Sequence, residues 1–108
     1  HVVDLAEVHK LTIDYLLKIE NANLTLNVGK GKPHSVLELI NTFEKVNNIT
    51  INYEFSDRRA GDIAMSYADT TNMFNLLKWR PLRTLEDMCK DGWTWQKKDK
   101  LDLKIKLT

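Results

Sequence analysis

Two short stretches of this chain alternate apolar and polar residues as β-strands do, and two strands are too few for a sheet that stands alone. The first is Leu24, Leu26 and Val28 with Thr25 and Asn27 between them; the second is Ile49, Ile51, Tyr53 and Phe55. Gly29-Lys30-Gly31-Lys32-Pro33 breaks the first, and an arginine-bearing loop follows the second directly. The other periodic stretches read as helix. Asp4, with Glu7 three residues on, suits an N-cap for an amphipathic helix over about residues 4–20, carrying Leu5, Val8, Thr12, Tyr15, Leu16 and Ile19. Ser35-Val36-Leu37-Glu38 is a capping-box signature ahead of Leu39, Ile40, Phe43 and Val46. Asp69 caps a short helix with Met73, Phe74 and Leu77, which Pro81 stops. Thr84-Leu85-Glu86-Asp87 opens a last helix with Leu85, Met88, Cys89, Trp93 and Trp95, interrupted at Gly92.

The order α-β-α-β-α-α predicts a small, mixed α/β domain of few strands with amphipathic helices. At 108 residues one domain at most is expected, and the opening His1-Val2-Val3-Asp4 has no approach segment. A fragment, or a domain lying against a partner, is the expectation. A net charge of +1 gives no field that draws nucleic acid or a membrane surface, and no apolar run approaches a membrane span. Cys89 has no second cysteine to pair with and sits among apolar residues, which predicts an inert core thiol and a cytoplasmic location. In that compartment the sequons Asn23-Leu24-Thr25 and Asn48-Ile49-Thr50 carry little meaning. In the lysine-rich tail from Asp99, Leu101, Leu103, Ile105 and Leu107 alternate, so an added edge strand competes there with a frayed terminus.

Chemistry concentrates in Asp57-Arg58-Arg59-Ala60-Gly61-Asp62-Ile63-Ala64-Met65-Ser66-Tyr67-Ala68-Asp69. An arginine fork makes paired, charge-assisted hydrogen bonds to phosphate oxygens, and a carboxylate accepts from vicinal sugar hydroxyls. Together they suit a nucleotide-sugar grip; the same residues also read as a solvated arginine loop closed by an aspartate. Other signatures fail. Gly29 and Gly31 lack the third glycine of a dinucleotide fingerprint, since position 34 is His, and no Gly-Lys-Ser/Thr follows them. His1, His9 and His34 lack metal-ligand spacing, and His9 reads as a half-buried side chain beside the apolar face of the first helix. Trp79, Trp93 and Trp95 read as packing anchors.

Five motifs occur in one order: His1-Val2-Val3-Asp4-Leu5-Ala6, Asn27-Val28-Gly29-Lys30-Gly31, Ser35-Val36-Leu37-Glu38-Leu39, Arg58-Arg59-Ala60-Gly61-Asp62, and Thr84-Leu85-Glu86-Asp87-Met88 through Trp93-Thr94-Trp95-Gln96-Lys97. This series resembles the C-terminal portion of the UDP-glucose 4-epimerases (UDP-galactose 4-epimerases), which are extended short-chain dehydrogenases/reductases. The resemblance covers about residues 1–98 and leaves 99–108 as a divergent tail.

That resemblance implies an NAD-dependent isomerase of galactose metabolism in which an N-terminal Rossmann half binds NAD and supplies Tyr-x-x-x-Lys. Neither is in this chain: Tyr15-Leu16-Leu17-Lys18 has the wrong spacing, so no catalytic residue and no turnover by the chain alone are expected. It further implies that Arg59 meets the UDP diphosphate, Asp62 the ribose hydroxyls, and Val36 packs near the nucleotide, with Arg58 structural. Partners would be UDP-glucose or UDP-galactose and the Rossmann half. Ser66 aligns with a position near the sugar ring, where a small residue is associated with admitting UDP-N-acetylhexosamines. The chemistry implied is oxidation at the sugar C4 hydroxyl, rotation of the keto sugar and hydride return, which calls for a firm grip on UDP and a loose one on the sugar. The alternatives are another extended short-chain dehydrogenase acting on nucleotide sugars, such as a dehydratase or decarboxylase, and a non-catalytic nucleotide-binding or interaction domain.

Overall fold

Among the described residues there are four helices: α1 (Val2–Leu16), α2 (Val36–Asn47), α3 (Thr71–Leu77) and α4 (Leu85–Lys106). The structure is a computed structural model describing the backbone of residues 1–106 and the side chains of residues 1–98. It divides into two compact units where one domain is expected. One unit is His1–Pro33 with Asp57–Leu82, the other His34–Ser56 with Arg83–Thr108.

In the first unit α1 buries Asp4 and Val8 and half-buries Leu11, Thr12 and Tyr15, a stripe at helical spacing. It packs with α3, whose Met73 is 1% exposed. Burying a side chain of that size stabilises by about 1.5–3 kcal/mol. The cap of α1 is His1, whose Nδ1 accepts from the Val3 amide at 3.1 Å, so Asp4 falls in the first turn and not at the cap. The helix also stops earlier than the periodicity suggests. Beyond Tyr15 the apolar stripe loses its cover, with Leu17 at 81% exposure, and the Lys18 and Ile19 amides turn to tighter bonds on Tyr15 and Leu16 carbonyls. Asn21, at φ 56°, completes the stop. His9 is exposed, not half-buried, and its Nδ1 lies 2.8 Å from the Leu5 carbonyl oxygen.

The cap of α3 is Thr70 and not Asp69, which serves one step upstream. Its Oδ1 accepts from the Thr71 amide at 3.0 Å and the Thr71 hydroxyl at 2.6 Å, which holds the carboxyl below the usual carboxylate range. Lys78 at φ 52° ends α3, ahead of Pro81. Trp79 is half-buried and donates its indole N–H to Glu7 at 3.3 Å.

In the second unit α2 packs on α4. The Ser35 hydroxyl accepts from the Glu38 amide at 3.0 Å, the bond a capping box requires. Asn48 at φ 50° closes α2. The Phe43 and Trp93 rings meet edge to face at 5.8 Å, and Asn47 Nδ2 donates to the Phe43 and Cys89 carbonyls. Thr84 and Asp87 cap α4 reciprocally, the Thr84 amide donating to Asp87 Oδ2 at 2.8 Å and the Asp87 amide to Thr84 Oγ1 at 3.2 Å. Cys89 is 3% exposed, and burial, with Glu86 adding to it, pushes the thiol up, as an inert core cysteine requires. Trp95 is 69% exposed, so only two of the tryptophans act as anchors.

Three further expectations fail. Among the described residues there is no strand. Alternation favours an extended chain, but a strand exists only beside a hydrogen-bonded neighbour, and neither Leu24–Val28 nor Ile49–Phe55 has one. The Ile51 amide instead donates to Glu44 Oε1 at 2.6 Å. Gly92 does not interrupt α4, because an exposed glycine costs a helix only about 1 kcal/mol and the flanking turns are packed. Helix also runs through Lys106, which excludes an edge strand over 101–106; Leu107 and Thr108 lie outside the described residues.

Candidate functional site

The Arg59-Ala60-Gly61-Asp62 turn is closed by the Asp62 amide donating to the Arg59 carbonyl at 3.2 Å. Gly61 stands third in this four-residue turn at φ 86°, the position where a type II turn demands a left-handed residue. A side chain there meets nothing within 4 Å, so backbone conformation alone requires the glycine. Closure sets Arg59 beside Asp62: Nε is 3.4 Å from Oδ2 and Nη2 is 3.4 Å from Oδ1. Both side chains are open to solvent, at 86% and 41% exposure. An exposed pair at that distance is weak, so an incoming phosphate can take the guanidinium and free the carboxylate for a hydroxyl partner.

Ser66 lies four residues past Asp62 in the same unit and is exposed, between exposed Met65 and Tyr67. Val36 belongs to the other unit, as the first residue of α2, and is 73% exposed, an apolar side chain left on the surface at a helix start. Arg58 is exposed, which gives no packing role to the arginine expected to be structural. The structure thus brings Arg59 and Asp62 together and leaves Ser66 and Val36 accessible.

Sequence reasoning missed the Gly29–Gly31 loop's neighbours. A Cβ at Gly29 would sit 3.3 Å from Ala68 Cβ, and one at Gly31, where φ is +71°, would sit 3.2 Å from Thr70 Oγ1. The small side chain at Ala68 was the available signal. Asp4, expected at the cap, is 3% exposed and lies on a cavity of about 320 Å³ that also touches Gly29, Lys30 and Trp79. His34 Nδ1 lies 2.8 Å from Glu38 Oε1, while its buried Nε2 has no hydrogen-bond partner. Among the described residues no group of His, Cys, Asp and Glu side chains could hold a metal ion, and no helix is long and apolar enough to cross a membrane.

No protein-family profile matches the chain. Whole-sequence comparison does. The UDP-glucose 4-epimerase of Bacillus subtilis (strain 168) is 45% identical over 96 residues, covering 89% of this chain and 28% of that protein. The UDP-glucose 4-epimerase of Pasteurella multocida (strain Pm70) is 46% identical over 100 residues, covering 92% and 29%. The chain matches one stretch of the UDP-glucose 4-epimerases. A crystal structure agrees: the UDP-glucose 4-epimerase of Bifidobacterium longum, in complex with NAD+ and UDP, superposes with a TM-score of 0.81 at 39% identity, over 91% of this chain and 29% of that one. The chain therefore spans less than a third of the length of the epimerases it matches.

The dinucleotide of that epimerase complex does not fit the one glycine loop here that resembles a cradle. The loop lacks the third glycine of a dinucleotide fingerprint, and no strand precedes it among the described residues.

Proposed function

We propose that this chain is the UDP-recognising, substrate-binding part of an NAD-dependent UDP-glucose/UDP-galactose 4-epimerase, with NAD held by sequence outside it. The reading is carried by one observation: the turn in the epimerase-like stretch pairs Arg59 with Asp62 at the solvent face, a fork for the diphosphate beside an acceptor for the ribose hydroxyls. Ser66, in the same unit as this turn, leaves room at the sugar. The firm grip thus falls on the part of the substrate that does not react, which positions the reacting carbon without fixing which face it presents. No step of the redox chemistry belongs to residues of this chain, and a cytoplasmic setting accords with its single buried thiol.

The test is a hybrid in which the matched stretch replaces its counterpart in the Bacillus subtilis relative. The hybrid should interconvert UDP-glucose and UDP-galactose, while the 108-residue chain alone with NAD should not. A correctly folded hybrid with no activity, or turnover by the isolated chain, would overturn the reading. With serine at position 66 the hybrid should also accept UDP-N-acetylglucosamine, and Ser66→Tyr should remove that activity selectively. Equal losses on both sugars would take Ser66 out of the sugar site.

A further inference from the structure

We propose that the Gly29–Gly31 loop is a positioning element for sugar choice: the close approach of Gly29 to Ala68 sets where Ser66 lies, and so which UDP-sugar fits. The inference rests on the UDP-sugar reading above and on Ser66 facing the sugar.

Three observations carry it. The first is the contact itself. A Cβ at Gly29 would lie 3.3 Å from Ala68 Cβ and 4.0 Å from Thr70 Cγ2, and one at Gly31 would lie 3.2 Å from Thr70 Oγ1. The loop and the segment from Ala68 to Thr70 therefore lie so close that a methyl group at Gly29 would make its neighbour give way. Glycine is needed at 29 for approach, since its backbone is not left-handed, and at 31 for both approach and conformation.

The second observation is that the far side of Ala68 is pinned. Asp69 Oδ1 holds the Thr71 amide and hydroxyl, the Thr70 carbonyl accepts from the Phe74 amide at 3.1 Å, and the helix so begun is anchored by fully buried Met73. The third is that the near side is loose. Residues 63–67 carry neither helix nor strand, and Ile63, Met65 and Tyr67 are 78%, 62% and 57% exposed. A push on Ala68 therefore has one direction to go. It travels upstream, and Ser66 is two residues away. The push expected from a methyl at Gly29 is a few tenths of an ångström. That is a sizeable part of the misplacement of about 1 Å that costs an enzyme on the order of 100-fold in rate.

The experiment uses the 108-residue chain with Gly29→Ala, Ala68→Gly and both together. Backbone amide resonances report position, and calorimetry reports affinity for UDP, UDP-glucose and UDP-N-acetylglucosamine. Gly29→Ala should move the Ser66 and Tyr67 amides, leave those of α3 in place, and keep UDP affinity within about twofold. The affinity ratio between the two sugars should change by about threefold or more, and adding Ala68→Gly should bring it back, since the double variant restores one methyl at the contact. Ala68→Gly alone adds no atom and keeps the test open if Gly29→Ala fails to fold; it relaxes the same contact and should shift the ratio too.

Equal losses on UDP and both sugars, an unchanged ratio, or no recovery in the double variant would overturn the inference. Ser66→Tyr separates the two claims. If it changes the ratio and the Gly29 and Ala68 variants do not, the UDP-sugar reading stands and this inference falls. A wild-type chain that binds no UDP would remove both.

Discussion

The Gly29–Gly31 loop and the Arg59–Asp62 turn are built from similar material, glycine beside lysine in one and glycine beside arginine in the other, yet they answer different demands. At Gly61 a side chain meets nothing within 4 Å, and the residue is glycine because φ is 86°. At Gly29 φ is ordinary, and the residue is glycine because Ala68 is 3.3 Å from where a Cβ would be. The first glycine keeps a turn open to solvent; the second lets a chain segment close over a loop. A glycine-rich loop that resembles a phosphate cradle in sequence is thus packed against Ala68 and Thr70, whereas the arginine turn stands open to solvent. The general lesson is that a glycine marks either conformation or proximity, and only the neighbours tell which.

That contrast can be broken at the ligand. In a complete epimerase carrying this stretch, Arg59→Ala should weaken UDP-sugar binding by about 2–4 kcal/mol, the range for truncating one side of a charged contact closed off by its ligand. Arg59→Lys should recover only part, because an ammonium does not reproduce the paired fork, and Asp62→Asn should cost less than Arg59→Ala. Calorimetric affinities unchanged by all three would leave a solvated turn with no ligand.

The contrast sharpens at the glycines. Gly61→Ala should destabilise the chain by about 1–2 kcal/mol through left-handed strain alone, and Gly61→Asn by less, since asparagine tolerates that conformation. At Gly31, where φ is +71°, asparagine should bring the same relief over alanine, but both substitutions should cost more than at Gly61, because Thr70 Oγ1 opposes any Cβ at 3.2 Å. Denaturant midpoints for the four variants give the comparison directly.

These two turns also mark how far the sequence could be read. The spacing of Arg59, Gly61 and Asp62 is local, so a turn joining cation to carboxylate was legible before any coordinates. The caps at Ser35 and Thr84 were legible for the same reason, since each depends on residues three apart. The packing of Gly29 on Ala68 joins segments distant in sequence, and the small side chain at Ala68 is its one local trace. The same limit explains the missing strands. Leu24, Leu26 and Val28 alternate, but a strand needs a neighbour, and among the described residues none pairs with them. At Gly92 the error ran the other way, a local breaker overridden by packing around Phe43 and Trp93.

A smaller effect concerns the pinned segment that packs on the glycine loop. The Thr71 hydroxyl, then the Thr71 amide, hold the Asp69 carboxyl below its ordinary 3.8. A carboxyl lowered on folding stabilises fully above its unfolded value, and that stabilisation is lost as pH falls through the lower folded value. The Thr71 amide should therefore lose protection from hydrogen exchange as pH drops below about 3.8, with the Asp62 amide, bonded to a backbone carbonyl, showing no parallel loss. Parallel loss at both sites would point to general unfolding.

The central claim is that the open turn, and not the glycine loop, receives the nucleotide. A titration of the isotopically labelled 108-residue chain with UDP, followed through backbone amide resonances, tests it most directly. Saturable shifts centred on Arg59 through Asp62, with Gly29 through Gly31 unmoved and the response abolished by Arg59→Ala, are the predicted result. Shifts centred on Gly29 through Gly31, or no saturable shift at Arg59 and Asp62, would contradict it.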